Sequence, residues 1–190
     1  MGVSFLPGRN MMGTDTFKHS AAKIGRCPFT GKIHCFYPSL WPDISVIHVH
    51  EADIYGNSRF KGISVCDIEL ARASKRLIIT CERLIRNKDI RQDPSATLIP
   101  YYLVDAVCEV PYGAYPGNMV GEYFSDEDHL RLWLESEQEP ETFKKFMDKY
   151  IYRTRDFDEY LELCGGMKRM RRLRAEENLL ESKKRSNQDG

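Results

Sequence analysis

The chain has 190 residues, and its 28 basic side chains balance its 28 acidic ones. This length suits one domain with an appended segment, and 42% hydrophobic with 29% charged residues is typical of a globular protein. Zero net charge gives no argument for nucleic acid or an anionic membrane as a partner, and no apolar run approaches the roughly 18 residues of a membrane span. We therefore expect a soluble, cytoplasmic protein.

Two segments near the N-terminus do not show the pattern of a buried element. Residues 9–15 indicate a loop without a core of its own, which we expect to belong to a larger unit or to rest on a partner. Residues 27–35 contain two cysteines and a histidine, but zinc takes four ligands, and no second pair follows. We interpret this segment as a Pro-Phe-Thr-Gly turn flanked by extended chain, and we expect the 6 cysteines of the chain to be reduced thiols without a metal.

Residues 44–81 predict strands and a helix in alternation. Nearly uncharged β-branched runs favour strands, and Asp67 is a candidate N-cap for a helix. The predicted elements are a buried strand at 44–50, a turn at 52–57, a short strand at 58–65, a helix at 68–75 and a buried strand at 76–81. The last three predict a βαβ crossover in a largely parallel sheet.

The second half of the chain becomes helical. Two short apolar runs within 97–110 precede a loop at 111–118 that is too rich in Gly and Pro for regular structure. Polar caps and glycines delimit the helices that follow. The predicted helices are 126–136 after Ser125, 141–151 after Glu139, 157–163 after Asp156 with a stop at Gly165, and a basic helix over 167–190.

Charge divides this helical half into two parts. Residues 167–190 carry 8 basic and 4 acidic side chains, a net charge of +4, whereas residues 117–166 carry 6 basic and 13 acidic ones, a net charge of −7. The contrast predicts a tail that folds back on the acidic region or meets an acidic partner. A solvated, frayed tail is the alternative.

The residues with chemical potential lie around 47–53, because no complete nucleophile-elbow, P-loop, zinc-protease or dinucleotide-binding motif is present. On a strand two histidines at this spacing point to one face, and the polar turn lies at the carboxyl end, where open α/β sheets bind ligands. The imidazoles could bind metal, relay protons or recognise a carboxylate, or they could be satisfied by neighbouring groups. The candidate pocket or interface residues are His48, His50, Glu51, Asp53 and Asn57.

Two further features leave alternatives open. The loop 111–118 could present backbone amides and two tyrosines to a ligand, or it could be a rigid contact between subunits. Glu109, if half-buried, would have a raised pKa and could be an acid or a nucleophile, but it could equally face outward from an edge strand.

Several segments stand in a fixed order along residues 5–162. They are Arg9-Asn-Met-Met-Gly-Thr-Asp15, Cys27-Pro-Phe-Thr-Gly31, Ile47-His-Val-His-Glu-Ala-Asp-Ile-Tyr-Gly-Asn57, Ala71-Arg-Ala-Ser-Lys-Arg76, Ile99-Pro-Tyr-Tyr-Leu-Val-Asp-Ala-Val107 and Glu109-Val-Pro-Tyr-Gly-Ala-Tyr-Pro116. Together they resemble the alpha-type (A) component of glutaconate CoA-transferase and its relatives among the class I CoA-transferases.

The resemblance implies a three-layer α/β fold with a mostly parallel open sheet of the CoA-transferase type and a helical C-terminal region. It also implies an A/B heteromer in which the B-type CoA-transferase subunit provides a glutamate. This glutamate attacks the acyl-CoA thioester, so that CoA reaches an acceptor carboxylate through a glutamyl-CoA intermediate. The implied substrates are an acyl-CoA and a small carboxylate. No permanently bound cofactor, metal, nucleic acid or membrane is implied.

Two departures from the family pattern shape the remaining expectations. Family members of the A type begin with further β/α units that this chain lacks, so we expect an A-subunit domain at 1–163 and a basic helical tail at 164–190. The family nucleophile belongs to the B-type subunit, so we assign no catalytic residue here and expect the chain alone to be inactive. The alternatives are a component of a related ring-cleaving hydrolase, a catalytically silent assembly paralogue, and a sugar-phosphate isomerase-like enzyme, for which we find no phosphate-binding helix start.

Overall fold

A computed structural model of the chain describes the backbone of residues 3–186 and the side chains of residues 3–180. The strands are β1 (Phe5–Gly8), β2 (Lys23–Arg26), β3 (Ile33–Pro38), β4 (Ile44–Ala52), β5 (Ser58–Arg59), β6 (Arg76–Leu84) and β7 (Ala106–Glu109). The helices are α1 (Asp15–Lys18), α2 (Asp67–Ala73), α3 (Asn87–Gln92), α4 (Glu127–Ser136), α5 (Pro140–Met147), α6 (Phe157–Leu163) and α7 (Gly166–Ser186). Short 3-10 turns cover Pro94–Ala96 and Tyr101–Leu103, and a π-helical turn covers Asp148–Tyr152. Residues 187–190, predicted as the end of the tail, lie outside the described residues.

The N-terminal strands form a small antiparallel sheet in the order β1-β3-β2. The hairpin between β2 and β3 closes through hydrogen bonds from the Cys27 N–H to the Lys32 carbonyl and from the Gly31 N–H to the Cys27 carbonyl, which confirms the turn predicted there. Cys35 is buried on this sheet. No sequence pattern predicted the sheet, because its strands are only 4 to 6 residues long and carry Gly and Pro.

The central sheet has the order β5-β4-β6-β7. β4 pairs with β6 and β6 pairs with β7 in parallel, and only the short β5 runs antiparallel to its neighbour β4. α2 connects β4 to β6, as a parallel pair requires. A mostly parallel sheet is therefore confirmed.

Three predicted elements differ in extent from those in the structure. The strand expected at 58–65 shrinks to β5, because only two of its residues pair with β4, so the crossover starts from β4 instead. Only the second apolar run in 97–110 becomes a strand, since Pro100 leads into a 3-10 turn. The helix expected at 141–151 is split into α5 and the π-helical turn.

The helix caps show how far local sequence can place a boundary. Asp67 is the first residue inside α2 rather than its cap. The cap of α4 is Asp126, whose carboxylate accepts the His129 N–H, and not Ser125; both residue types cap well, so sequence alone does not choose between them. Asp156 caps α6 as predicted.

Two buried clusters lie on opposite sides of the central sheet. One packs the sheet against α2 and comprises Ile47, Val49, Ala52, Ala71, Leu77, Ile79, Cys81 and Ile99. The other joins the segment 110–123 to α6 and α7 and comprises Tyr112, Tyr115, Met119, Tyr123, Leu161, Met170 and Leu173. This arrangement of a helix layer, a sheet and a second helical layer confirms the predicted fold class. Within residues 3–186, no helix has both the length and the apolar character that crossing a bilayer needs.

The basic tail folds back on the acidic region. Met170 and Leu173 of α7 are buried in the second cluster. Arg169 forms ion pairs with Asp126 at 2.5 Å and with Asp128 at 2.8 Å. The alternative of a solvated, frayed tail is therefore wrong for the first turns of α7.

Replacing Asp126 with asparagine should lower the free energy of unfolding by about 3 kcal/mol, because it leaves the Arg169 guanidinium without its main buried partner. The Asp126 side chain is only 3% exposed and also accepts the Tyr115 hydroxyl. Burial alone would raise the pKa of Asp126, but the hydrogen bonds from Arg169, His129 and Tyr115 bring its pKa down to about 2. Urea denaturation at pH 7 measures the loss.

The matched control is Asp128→Asn, which removes a carboxylate that is 71% exposed but contacts the same arginine. We expect this change to cost less than about 1 kcal/mol. Because the folded-state pKa of Asp126 lies below its unfolded value of about 3.9, its contribution is present above that pH and is lost as the pH falls towards 2. Equal losses for the two variants would contradict the assignment.

Candidate functional site

The site lies at the carboxyl edge of the central sheet. Since β4, β6 and β7 are parallel, the residues that end these strands meet at one edge. The register places His48 beside Thr80, Glu51 beside Arg83 and Cys81 beside Glu109. Open α/β sheets bind ligands at such an edge.

Glu82 is the centre of the hydrogen-bond network under this edge. One carboxylate oxygen, Oε1, accepts from His48 Nε2 at 2.8 Å and from the Tyr123 hydroxyl at 2.6 Å. The other, Oε2, accepts the backbone N–H of Tyr112 at 2.8 Å. Burial alone would raise the pKa of Glu82, but the bonds from His48, Tyr123 and Tyr112 outweigh it and hold the pKa below its usual range. The side chain is therefore an ionised anchor, and its three bonds tie β6 to β4 and to the segment 110–123.

His48 is held on both sides of its ring. Its Nε2 donates to Glu82, because an ionised carboxylate only accepts, and its Nδ1 lies 2.9 Å from the Thr80 hydroxyl. Gly113 lies against the ring: a Cβ at this position would lie 2.5 Å from the His48 Cε1 atom. Gly113 is thus required for the segment 110–123 to lie this close to β4.

The hydrogen bonds of His50 define its tautomer. Its Nδ1 accepts the Lys61 N–H at 3.1 Å, so the proton of the neutral ring is on Nε2, which donates to the Val120 carbonyl at 2.7 Å. Both histidines therefore point to the face covered by the segment 110–123, as the spacing predicted. The ring nitrogens of both are already in use.

Glu51 is partly exposed, with 29% of its side chain accessible to solvent. Its carboxylate lies 3.3 Å from Arg83, which also binds Glu122 at 2.7 Å. Arg174 of α7 lies 3.7 Å from Glu122 and over the Tyr112 ring. This row of alternating charges connects the sheet edge to the folded-back tail and remains partly open to solvent.

Asp53 and Asn57 shape the turn that follows β4. The Asp53 carboxylate is fully buried and accepts from the backbone N–H groups of Tyr55 and Asn57 and from the side-chain amides of Asn57 and Asn87. Burial alone would raise its pKa, but the bonds from Asn57, Asn87 and Tyr55 keep it lowered. The Asn57 side-chain oxygen in turn accepts the Tyr101 N–H at 3.2 Å. Together they connect this turn to the start of α3 and to the 3-10 turn at Tyr101–Leu103.

Two sequence hypotheses about neighbouring residues are corrected. Tyr112 and Tyr115 of the loop 111–118 are buried, so they do not face a ligand. Glu109 is exposed on β7 and accepts the Leu84 N–H, so it is not the half-buried glutamate considered as an acid or nucleophile.

Sequence reasoning missed Glu82 and Tyr123, which carry most of the network. The predicted strand stopped at residue 81, one position before the glutamate, whereas β6 continues to Leu84. An acidic residue directly after an apolar strand was the available signal. Tyr123 lies 41 positions from Glu82 in the sequence, so its pairing needed the fold.

The arrangement uses most of its polar groups to position backbone and charge. Glu82, His48 and His50 are engaged in hydrogen bonds, and Asp53 is saturated. Among the described residues, no group of three or more His, Cys, Asp or Glu side chains could hold a metal ion. The described polar groups at this edge therefore mainly hold β4, β6 and the segment 110–123 together.

Comparison with known proteins gives matches over most of the chain. Residues 1–110 match the family model described as Coenzyme A transferase. An uncharacterized protein of Archaeoglobus fulgidus is 49% identical over 95% of this chain and 40% of its own length. The A-type component of 3-oxoadipate CoA-transferase from Pseudomonas knackmussii is 35% identical over 84% of this chain and 56% of its own. The crystal structure of glutaconate coenzyme A-transferase from Acidaminococcus fermentans superposes with a TM-score of 0.83 at 30% identity, covering 90% of this chain and 59% of that one. The chain thus spans about 40–59% of the length of these relatives.

Replacing Glu82 with glutamine should lower the free energy of unfolding by about 2–3 kcal/mol. The glutamine oxygen can still accept from His48 and Tyr123, but its NH₂ group then faces the Tyr112 N–H, donor against donor. Tyr112 is already strained, with a φ of 64°. Chemical denaturation at neutral pH tests this expectation.

Glu109→Gln is the matched control, since Glu109 ends the adjacent strand, is exposed and accepts one backbone N–H. Its effect should stay within about 0.5 kcal/mol. If the Glu82 variant were as stable as this control, Glu82 would not be the anchor of the edge.

Proposed function

The chain belongs to the coenzyme A transferase family, and on this premise we propose that it is the A-type component of a CoA-transferase. The reaction moves CoA from an acyl-CoA thioester to an acceptor carboxylate. The observation that carries the proposal is the superposition on glutaconate coenzyme A-transferase over 90% of the chain. In this proposal the CoA thioester is a substrate, and no cofactor is permanently bound.

The reactive carboxylate in this proposal comes from a B-type partner subunit. That glutamate attacks the thioester carbonyl, CoA leaves as a thiolate, and an acyl-glutamyl anhydride forms. CoA then attacks the glutamyl carbonyl and releases the first carboxylate, which leaves a glutamyl-CoA thioester for the acceptor. Both intermediates hydrolyse in water, so a dry wall is needed. The closely packed segment 110–123 over the sheet edge supports this role for the chain.

The chain matches only part of the length of its relatives, so we propose the activity for an assembly that also supplies the remainder. Residues 1–163 are the proposed A-subunit domain, and 164–190 the proposed helical tail. We place the assembly in the cytoplasm, and six cysteines without a CxxC pair in the sequence fit a reducing compartment. The relatives from Pseudomonas knackmussii and Acidaminococcus fermentans are CoA-transferases, which favours transfer over the hydrolase and silent-paralogue alternatives.

Glu51 is the residue we propose to face the substrate pocket or the interface with the partner. Its side chain is 29% exposed and pairs with Arg83 at 3.3 Å. His48, His50, Asp53 and Asn57 support this position indirectly, because their polar atoms fix the strand and the turn on either side of it.

The assembled enzyme should exchange CoA between carboxylates, whereas either component by itself should not. We would purify the full polypeptide containing this sequence with the B-type subunit encoded in the same genome, and follow transfer of CoA from acyl-CoA to acetate by chromatography. Borohydride reduces a thioester but not a carboxylate. Treatment after incubation with acyl-CoA should therefore inactivate the enzyme and modify one glutamate of the partner, as seen by mass spectrometry.

Three outcomes would contradict this prediction. Release of free CoA without an acceptor would identify a hydrolase. A modified carboxylate on this chain would place the nucleophile here. Turnover by this chain in isolation would remove the need for a partner.

Replacing Glu51 with glutamine should change the KM for the acyl-CoA or the acceptor by about fivefold to tenfold with little loss of stability. The charge is partly exposed, so folding does not depend on it. Asp53→Asn is the comparison, because it places an NH₂ group among buried donors and should cost about 2 kcal/mol of stability. Steady-state kinetics and denaturation separate the two. A Glu51 variant with unchanged kinetics would exclude it from the pocket and interface.

A further inference from the structure

A cavity of about 380 Å³ lies between α4 and the segment formed by α5 and the π-helical turn. We call it the α4–α5 cavity. On its two walls it is lined by Leu132 and Glu135 of α4 and by Lys145, Phe146, Lys149 and Tyr150. Residues three or four positions apart share one face of a helix, so each wall is a single helical face. The volume is within the range of small-molecule sites, and the lining includes no residue of the sheet edge.

The aromatic floor of this cavity is fixed by packing inside the protein. The Phe146 and Tyr150 rings lie 4.8 Å apart between centroids, and the buried His129 ring packs against them at 5.6 and 4.9 Å. The Thr142 hydroxyl donates to the Ser136 carbonyl at 2.8 Å, which closes the connection between α4 and α5. The cavity is therefore formed before a ligand arrives, which reduces the entropy lost on binding.

The π-helical turn forms part of the same wall. The Arg153 N–H donates to the Asp148 carbonyl, five residues earlier, at 3.1 Å. Single π-helical turns are rare and are frequently found at functional sites. This one carries both Lys149 and Tyr150, which line the cavity. The irregular turn and the cavity thus point independently to the same place.

Two lysines give the rim of the cavity a positive charge. Among the side chains of residues 3–180, neither Lys145 nor Lys149 forms an ion pair with a carboxylate. The Lys149 ammonium instead lies 4.6 Å from the centre of the Tyr150 ring. With Glu135 as the acidic lining residue, the net charge of the rim is +1. This charge matches a monoanion better than a doubly charged phosphate ester.

A neighbouring cavity of about 390 Å³ shares both lysines but has a different character. It is otherwise lined by Asp148, Arg153, Glu159 and Leu163. Acidic and basic side chains are mixed there, and the apolar surface is small, so it does not suit an apolar ligand. The α4–α5 cavity combines an apolar floor with a basic rim.

We propose that the α4–α5 cavity binds a monocarboxylic acid with an apolar tail. The tail lies on Leu132, Phe146 and Tyr150, and the carboxylate lies between the ammonium groups of Lys145 and Lys149. Burial of the tail supplies most of the binding free energy, since exposed ion pairs contribute little. This site goes beyond the proposed CoA transfer and does not depend on it.

Octanoate is the probe for this site. It should bind the full polypeptide containing this sequence with a Kd of about 0.1–1 mM by isothermal titration calorimetry. Octan-1-ol has the same tail without the charge and should bind at least about threefold more weakly. No binding of octanoate, equal binding of octan-1-ol, or tighter binding of octyl phosphate would overturn the proposal.

Two pairs of variants place the ligand on both walls. Leu132→Asp sets a carboxylate against the tail and should weaken octanoate binding at least about tenfold. Its control is Leu134→Asp, because Leu134 is 57% exposed on the same helix and does not line the cavity. Lys145→Gln should weaken binding about threefold to fivefold. Its control is Lys144→Gln, a neighbour outside the lining, and both controls should stay within about twofold of the unmodified chain. Equal losses within either pair would contradict the assignment.

Photolabelling locates the ligand without any variant, so its result does not depend on how the substitutions fold. An octanoic acid with a diazirine in its tail should modify residues within 132–150, as mapped by mass spectrometry, and excess octanoate should suppress this labelling. Labelling only elsewhere, for example at the sheet edge, would overturn the proposal. Neither measurement involves CoA transfer, so a failure of the proposed function would leave this test unaffected.

Discussion

The structure depends on buried carboxylates that are fully satisfied by hydrogen bonds, and Glu82 is the central one. A lone ionised carboxylate in a protein interior is very unfavourable, so each buried one must be surrounded by donors. Glu82 meets this requirement with donors from β4, from Tyr112 and from Tyr123. The segment 110–123 cannot move away from the sheet without leaving that charge unpaired. One electrostatic requirement therefore fixes the position of a segment that contains no helix or strand.

The same principle operates at two other junctions. Asp53 joins the turn after β4 to α3 and, through Asn57, to the 3-10 turn. Asp126 joins the start of α4 to α7 through Arg169 and to the segment 110–123 through Tyr115. Each carboxylate accepts bonds from elements that are distant in sequence, and each has a pKa below its usual range. Together they make the sheet edge, its covering segment and the tail one connected unit.

The sequence alone was enough to predict those features that depend on residues close together in the chain. The β-branched run from Ile44, the Asp156 cap and the Gly-rich break before α7 were all predictable because each depends on neighbours in the chain. The motif order indicated the fold and the family. The predictions that failed concerned residues whose partners are distant in the sequence. Of the strand predicted at 58–65, only Ser58 and Arg59 pair with β4. The hydrogen bond between Tyr123 and Glu82 is evident only in the folded chain. Ser125 and Asp126 compete for the cap of α4, and residue type alone does not choose between them.

Most polar side chains at the sheet edge are hydrogen-bonded within the protein, and this limits the chemistry they can perform. A carboxylate such as Glu82, with a lowered pKa and three donors around it, is a weak base and a weak nucleophile. At the sheet edge, Glu51 and Arg83 remain partly open, and they pair with each other. The described polar groups at this edge therefore hold the strands, the turn after β4 and the segment 110–123 in place, and the pair of Glu51 and Arg83 stays partly accessible beside them.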